Sequence, residues 1–99
     1  VLRIGELEIY HEYRRVLMAG REVRLNHGEY AMLYCMASAP GQVFSKAQLY
    51  AAAWGEEYLH GTTSVENIIW RLRQKLEKDP KHPEYIKTVN YFLQRHNAK

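Results

Sequence analysis

At 100° per residue, Asn67, Trp70, Arg71 and Gln74 project from one arc of a helix, with Lys78 one turn further along. Arg71 is a planar fork of donors. Asn67 and Gln74 are amides that carry a donor and an acceptor side by side, and Trp70 is a large aromatic. Groups of this kind recognise by hydrogen bonding and contact rather than by making bonds. An α-helix fits the major groove of DNA, where Arg can donate twice to guanine and Asn or Gln can pair twice with adenine. Residues four apart, such as Asn67 and Arg71, point the same way and can reach neighbouring base pairs. A solvated helix face also carries Lys, Arg and Gln, but an exposed tryptophan is uncommon on an inert one.

Other chemistry finds little support. There is no glycine-rich phosphate loop and no His-Glu-x-x-His pair. The five histidines (His11, His27, His60, His82 and His96) are scattered singly, at expected turns and ends. Cys35 falls mid-helix beside apolar residues, with nothing near it in sequence to create a thiolate. It reads as a small hydrophobe. Glu56 and Glu57 adjoin a loop, where adjacent residues rarely share a pocket. An enzyme is not expected, nor a metal or cofactor.

The arc needs a helix to carry it, and that helix is well marked. Thr63-x-x-Glu66 has capping-box form, Asp79-Pro80 supplies a stop, and the helix is expected to run to about Lys78. Val65, Ile68, Ile69, Leu72 and Leu76 share an apolar stripe opposite the polar arc. An earlier helix starts after Asn26, an N-cap residue type, and stops near Ala39-Pro40-Gly41. Ser45-x-x-Gln48 opens a further one, whose stripe Leu49, Ala52, Ala53 and Trp54 ends at Gly55.

Before these helices the period is two. Leu7 and Ile9, Val16 and Met18, then Val23 and Leu25 alternate with wetter residues, and breaks fall at Gly5 and Ala19-Gly20. This predicts a small antiparallel sheet with one wet face and a tight turn over 18–21. After the helices, Tyr85 to Val89 is β-prone, and weaker β character continues through Leu93.

With 99 residues the chain suits one domain, 1–99, and 46% hydrophobic with 25% charged residues is ordinary globular usage. The longest uncharged apolar run, Tyr30 to Ala39, is ten residues, far short of a membrane span. One cysteine allows no internal disulfide, so a reducing, cytoplasmic setting is expected. The formal charge of +3 is unevenly placed: residues 1–61 carry six Lys/Arg against seven Asp/Glu, net −1, and residues 62–99 carry eight against four, net +4. One end is suited to a polyanion or an acidic partner. The first residue is Val1 rather than Met, as expected of a fragment of something longer.

The residues also carry a family resemblance. Glu29-Tyr30-x-Met32-Leu33, Val43-Phe44-Ser45-Lys46-x-x-Leu49 and Trp54-Gly55 begin it. Ser64-Val65-Glu66-x-x-Ile69-x-Arg71-Leu72-Arg73-x-Lys75-Leu76 and Tyr85-Ile86-x-Thr88-Val89 complete it. Over about residues 2–89 the chain resembles the winged-helix effector domain of OmpR/PhoB-type bacterial response regulators. The resemblance implies an α+β winged helix-turn-helix: an N-terminal four-stranded antiparallel sheet, three helices and a C-terminal β-hairpin wing.

Its implied function is sequence-specific binding of double-stranded DNA as the output domain of a transcriptional regulator, with the third helix in the major groove. Arg71 matches the family's base-contacting arginine and Asn67 a nearby base-reading position. Thr63, Trp70 and Arg73 match positions that contact phosphates or support the helix, and Gln74 and Lys78 share the helix arc with them. Asn90 stands where the family places an arginine for the minor groove. The resemblance further implies a tandem homodimer on direct repeats, RNA polymerase contact through residues 55–62, and a receiver domain upstream in cis. The family's Gly-x-Gly-Tyr after the Thr-Val pair is replaced by Tyr91-Phe92-Leu93, which leaves a wing that is reshaped, widened or unformed. A rival reading is a degenerate winged helix that binds a protein through Trp70, Tyr91 and Phe92.

Overall fold

The computed structural model describes residues 1–55, 64–88 and 91–93. Short alternating segments open the chain as β1 (Leu2–Ile4), β2 (Leu7–Tyr10), β3 (Arg15–Met18) and β4 (Arg21–Val23). They form an antiparallel sheet in sequence order. The alternation fixes which face goes in: Leu7, Ile9 and Val16 are buried, while Arg3–Glu8 and Arg15–Glu22 pair across the wet face. Met18 pairs with Arg21, and the two residues between them, Ala19 and Gly20, have φ of 53° and 81°. Two positive φ values are the signature of a type I′ turn, whose twist matches that of the strands it joins.

Helix α1 (His27–Ala37) begins at Asn26 with a full capping box. The Asn26 side chain accepts from the Glu29 N–H at 2.9 Å, and Glu29 Oε1 accepts from the Asn26 N–H at 3.0 Å. The expected box at Ser45 forms likewise and starts α2 (Lys46–Trp54), which Gly55 ends at φ 68°. Helix α3 runs Ser64–Leu76. Leu33 and Met36 of α1, Leu49 of α2, the stripe Val65, Ile68, Ile69, Leu72 and Leu76 of α3, and the inner face of the sheet make one core cluster.

Helix α3 ends two residues short of the expected Lys78, because Glu77 is turned inward. Its carboxylate, 8% exposed, accepts from the N–H groups of Glu84 at 2.8 Å, Tyr85 at 3.0 Å and Ile86 at 2.9 Å. The chain that follows is thereby fastened to the end of α3 as β5 (Ile86–Thr88), shorter than the expected 85–89. It pairs antiparallel with β6 (Tyr91–Leu93), with Thr88 opposite Tyr91 and Ile86 opposite Leu93. The hairpin therefore forms without the family's two glycines. β-prone sequence, the Glu77 anchor and the seating of β6 against α1 supply what the glycines do not. The Tyr85 hydroxyl closes the domain by accepting from the Glu6 N–H at 3.0 Å, which joins the last sheet to the first.

Candidate nucleic-acid interface

The two faces of α3 meet different surroundings. Its inner stripe is buried, whereas Asn67, Arg71 and Gln74 are exposed and Trp70 is 44% exposed. The helical phase expected from the stripe is the observed one. Four attachments hold the helix in place. At its start Lys46 Nζ of α2 reaches Glu66 Oε2 at 2.7 Å. Near its end Lys75 Nζ donates to Glu29 Oε1 at 2.6 Å and to the Arg24 carbonyl at 3.0 Å. Glu29 is 1% exposed, so its charge is compensated by a cation and by its own cap rather than by water. Arg73 Nε donates to the Ile86 carbonyl at 3.2 Å, on the residue whose N–H Glu77 holds.

Helix α1 approaches α3 closely. A Cβ built on Gly28 would lie 3.2 Å from both Ile68 Cδ1 and Trp54 Cζ2, so the absent side chain makes room for both. The result is an open notch in which Asn26, His27 and Trp54 face Asn67 and Arg71. Trp54 was expected in the apolar stripe of its helix. It is 39% exposed instead and forms the wall of this notch, because Gly28 lets its ring lie across the α1 terminus.

The expected site residues separate into groups. Asn67, Trp70, Arg71 and Gln74 share the exposed arc. Arg73 is half-buried and braces the hairpin through Ile86. Lys78 lies beyond the helix and borders a different groove, with Arg21 and Arg24 of the β4 side, so the structure does not bring it to the arc. Thr63, Asn90 and positions 56–62 of the loop lie outside the described residues.

Two of the histidines do more than fill turns. The His11 ring stacks on Tyr34 at 4.1 Å between centroids, and its Nδ1 is 2.7 Å from the Tyr30 hydroxyl. His27 Nε2 is 2.9 Å from the Ala53 carbonyl and ties α1 to α2. Cys35 is half-buried, and burial raises its thiol pKa, which disfavours the thiolate. Among the described residues no group of His, Cys, Asp or Glu is placed to hold a metal ion, and no helix is long and apolar enough to cross a membrane.

Comparison with known proteins gives this geometry its context. The sequence family described as "Transcriptional regulatory protein, C terminal" matches residues 20–92. The DNA-binding domain of RstA from Klebsiella pneumoniae, solved in complex with the RstA box, is similar with a TM-score of 0.87 and 32% identity, over 96% of this chain and 97% of that one. The DNA-binding domain of CpxR from E. coli gives a TM-score of 0.83 at 26% identity, over 97% of each chain. Response regulator DrrB of Thermotoga maritima, an OmpR/PhoB homolog, gives 0.83 at 27% identity; 93% of this chain covers 43% of that one. Sheet, helical unit, hairpin and sequence agree: the chain belongs to the family of transcriptional regulatory protein C-terminal domains, among the winged helices of OmpR/PhoB-type response regulators.

Proposed function

We propose that this domain binds specific double-stranded DNA as the output part of a transcriptional response regulator, with α3 laid in the major groove. The observation that carries this is the division of α3: a locked inner face and an exposed arc bearing Asn67, Trp70, Arg71 and Gln74. Preorganised side chains on a rigid helix lose little entropy on docking, which favours reading of base edges. Arg71 donates to guanine acceptors, Asn67 reads the adjacent pair, and Gln74 reaches the groove edge. Arg73, bonded to Ile86 through Nε, supports the helix, and the family resemblance assigns its position to phosphate contact or helix support. The family resemblance assigns Thr63 to a position that contacts phosphate or supports the helix, and Asn90 to the position that faces the minor groove.

The same reading places two copies head to tail on direct repeats, a receiver domain in cis, RNA polymerase against residues 55–62, and the protein in the cytoplasm. Selection of bound sites from random duplexes, followed by titration over a salt series, tests the central claim. A recovered motif with steeply salt-dependent affinity supports it, since phosphate contacts release counterions. Binding that is indifferent to salt and sequence overturns it and favours an aromatic protein contact. Insertion of about five base pairs between half-sites turns the second copy to the opposite face of the duplex and should abolish cooperativity.

A further inference from the structure

Beside the recognition arc lies an open groove whose far wall, from Pro80 to Lys87, the reading above does not use. One wall is α3, through Trp70 and Arg73; the other is the segment leading into β5, through Lys81, His82, Glu84 and Lys87. Three formal positive charges, from Arg73, Lys81 and Lys87, face a single negative one, from Glu84. Several of these side chains are already placed. Lys87 Nζ donates to the Pro83 carbonyl at 2.7 Å and keeps two further N–H donors. His82 Nδ1 is 2.9 Å from Asp79 Oδ2, and Arg73 Nε is held at Ile86. Lys87 follows buried Ile86 on β5, so strand alternation turns it away from the core.

Trp70 belongs both to this groove and to the arc of α3, so the two surfaces are continuous. A duplex seated on the arc would carry one of its strands across the groove's mouth. We propose that the groove is a phosphodiester site, in which Lys81 and Lys87 contact the DNA backbone beside the base pairs read by α3 and Trp70 packs on the intervening sugar. Lysine acts here as a point charge, which suits phosphate and carries no sequence information. The proposal rests on the DNA-binding reading. An acidic protein segment is the competing occupant, and continuity with the arc favours DNA.

The test compares the whole chain with Lys81→Gln/Lys87→Gln, using fluorescence anisotropy on a duplex with the selected site and on a random duplex. Loss of two phosphate contacts should reduce the slope of log K against log salt by about 1.8 on both duplexes, with the selected motif unchanged. Lys81→Arg/Lys87→Arg should restore the slope. Trp70→Ala should weaken both duplexes by a common factor and leave the slope alone, because it removes contact without charge. An unchanged slope in the glutamine variant overturns the proposal and leaves the groove to an acidic protein. If the unaltered chain prefers no duplex, the underlying reading fails and this one with it; if it binds its motif and only the slope is unmoved, the groove alone is wrong.

Discussion

One side of α3 is packed into the core and tied to other elements, and the other is open to solvent. The inner side buries Val65, Ile69 and Leu72, and its polar neighbours Lys75 and Glu77 reach Glu29 and the start of β5. The outer side offers Asn67, Trp70, Arg71 and Gln74 to solvent. The same thirteen-residue helix thus carries two kinds of energy. Changes on the inner side should be read in stability, and changes on the outer side in binding.

The largest effect is expected at Leu72, which is fully buried. Leu72→Ala should cost about 2–5 kcal/mol of folding stability through the cavity it leaves. Chemical denaturation reads this directly, and a loss below about 1 kcal/mol would mean that the core collapses around the gap. Next comes Glu77→Gln. An amide has one acceptor oxygen where the carboxylate has two, and it turns an NH2 toward backbone donors. Leaving a buried N–H unpaired should cost about 1–3 kcal/mol, seen as a lower Tm and faster amide exchange at 84–86. A neutral outcome would show that water replaces the carboxylate.

Arg71→Ala crosses to the other side. It should cost about 1–3 kcal/mol of discrimination between the selected site and random DNA, while stability moves by less than about 0.5 kcal/mol. Equal weakening on both duplexes would demote Arg71 to a phosphate contact. The smallest effect is expected at Trp70, where Ala should change folding stability by less than about 1 kcal/mol. A loss of several kcal/mol would join the two sides of the helix and defeat the comparison.

The division was partly legible in the residues themselves. The stripe from Val65 to Leu76 set the phase of α3, and the box at Ser45 set the start of α2, because both depend on neighbours within one or two turns. Alternation marks three strands of the first sheet, and the fourth, β1, follows only from the family resemblance. The box at the start of α1 is equally local, as Asn26-x-x-Glu29. The long-range attachments were not readable. Lys75 meets a carboxylate 46 positions away, and Glu77 serves amides seven to nine positions on, across a turn that periodicity does not describe. The groove formed with Lys81 and Lys87 was hidden for the same reason: its walls come from separate elements.

The Glu77 anchor also says where this domain can be cut and rejoined. Three consecutive amides, of residues 84, 85 and 86, are committed to one carboxylate at the end of α3. Ile86 is held through its carbonyl as well. A wing borrowed from another winged helix should therefore be spliced after Thr88, where the chain has left that anchor. Joined ahead of Glu84, it would arrive with its own backbone set to a different anchor, and the end of the recognition helix would lose its fastening. The exchangeable unit is the tip of the hairpin. Its root belongs to α3.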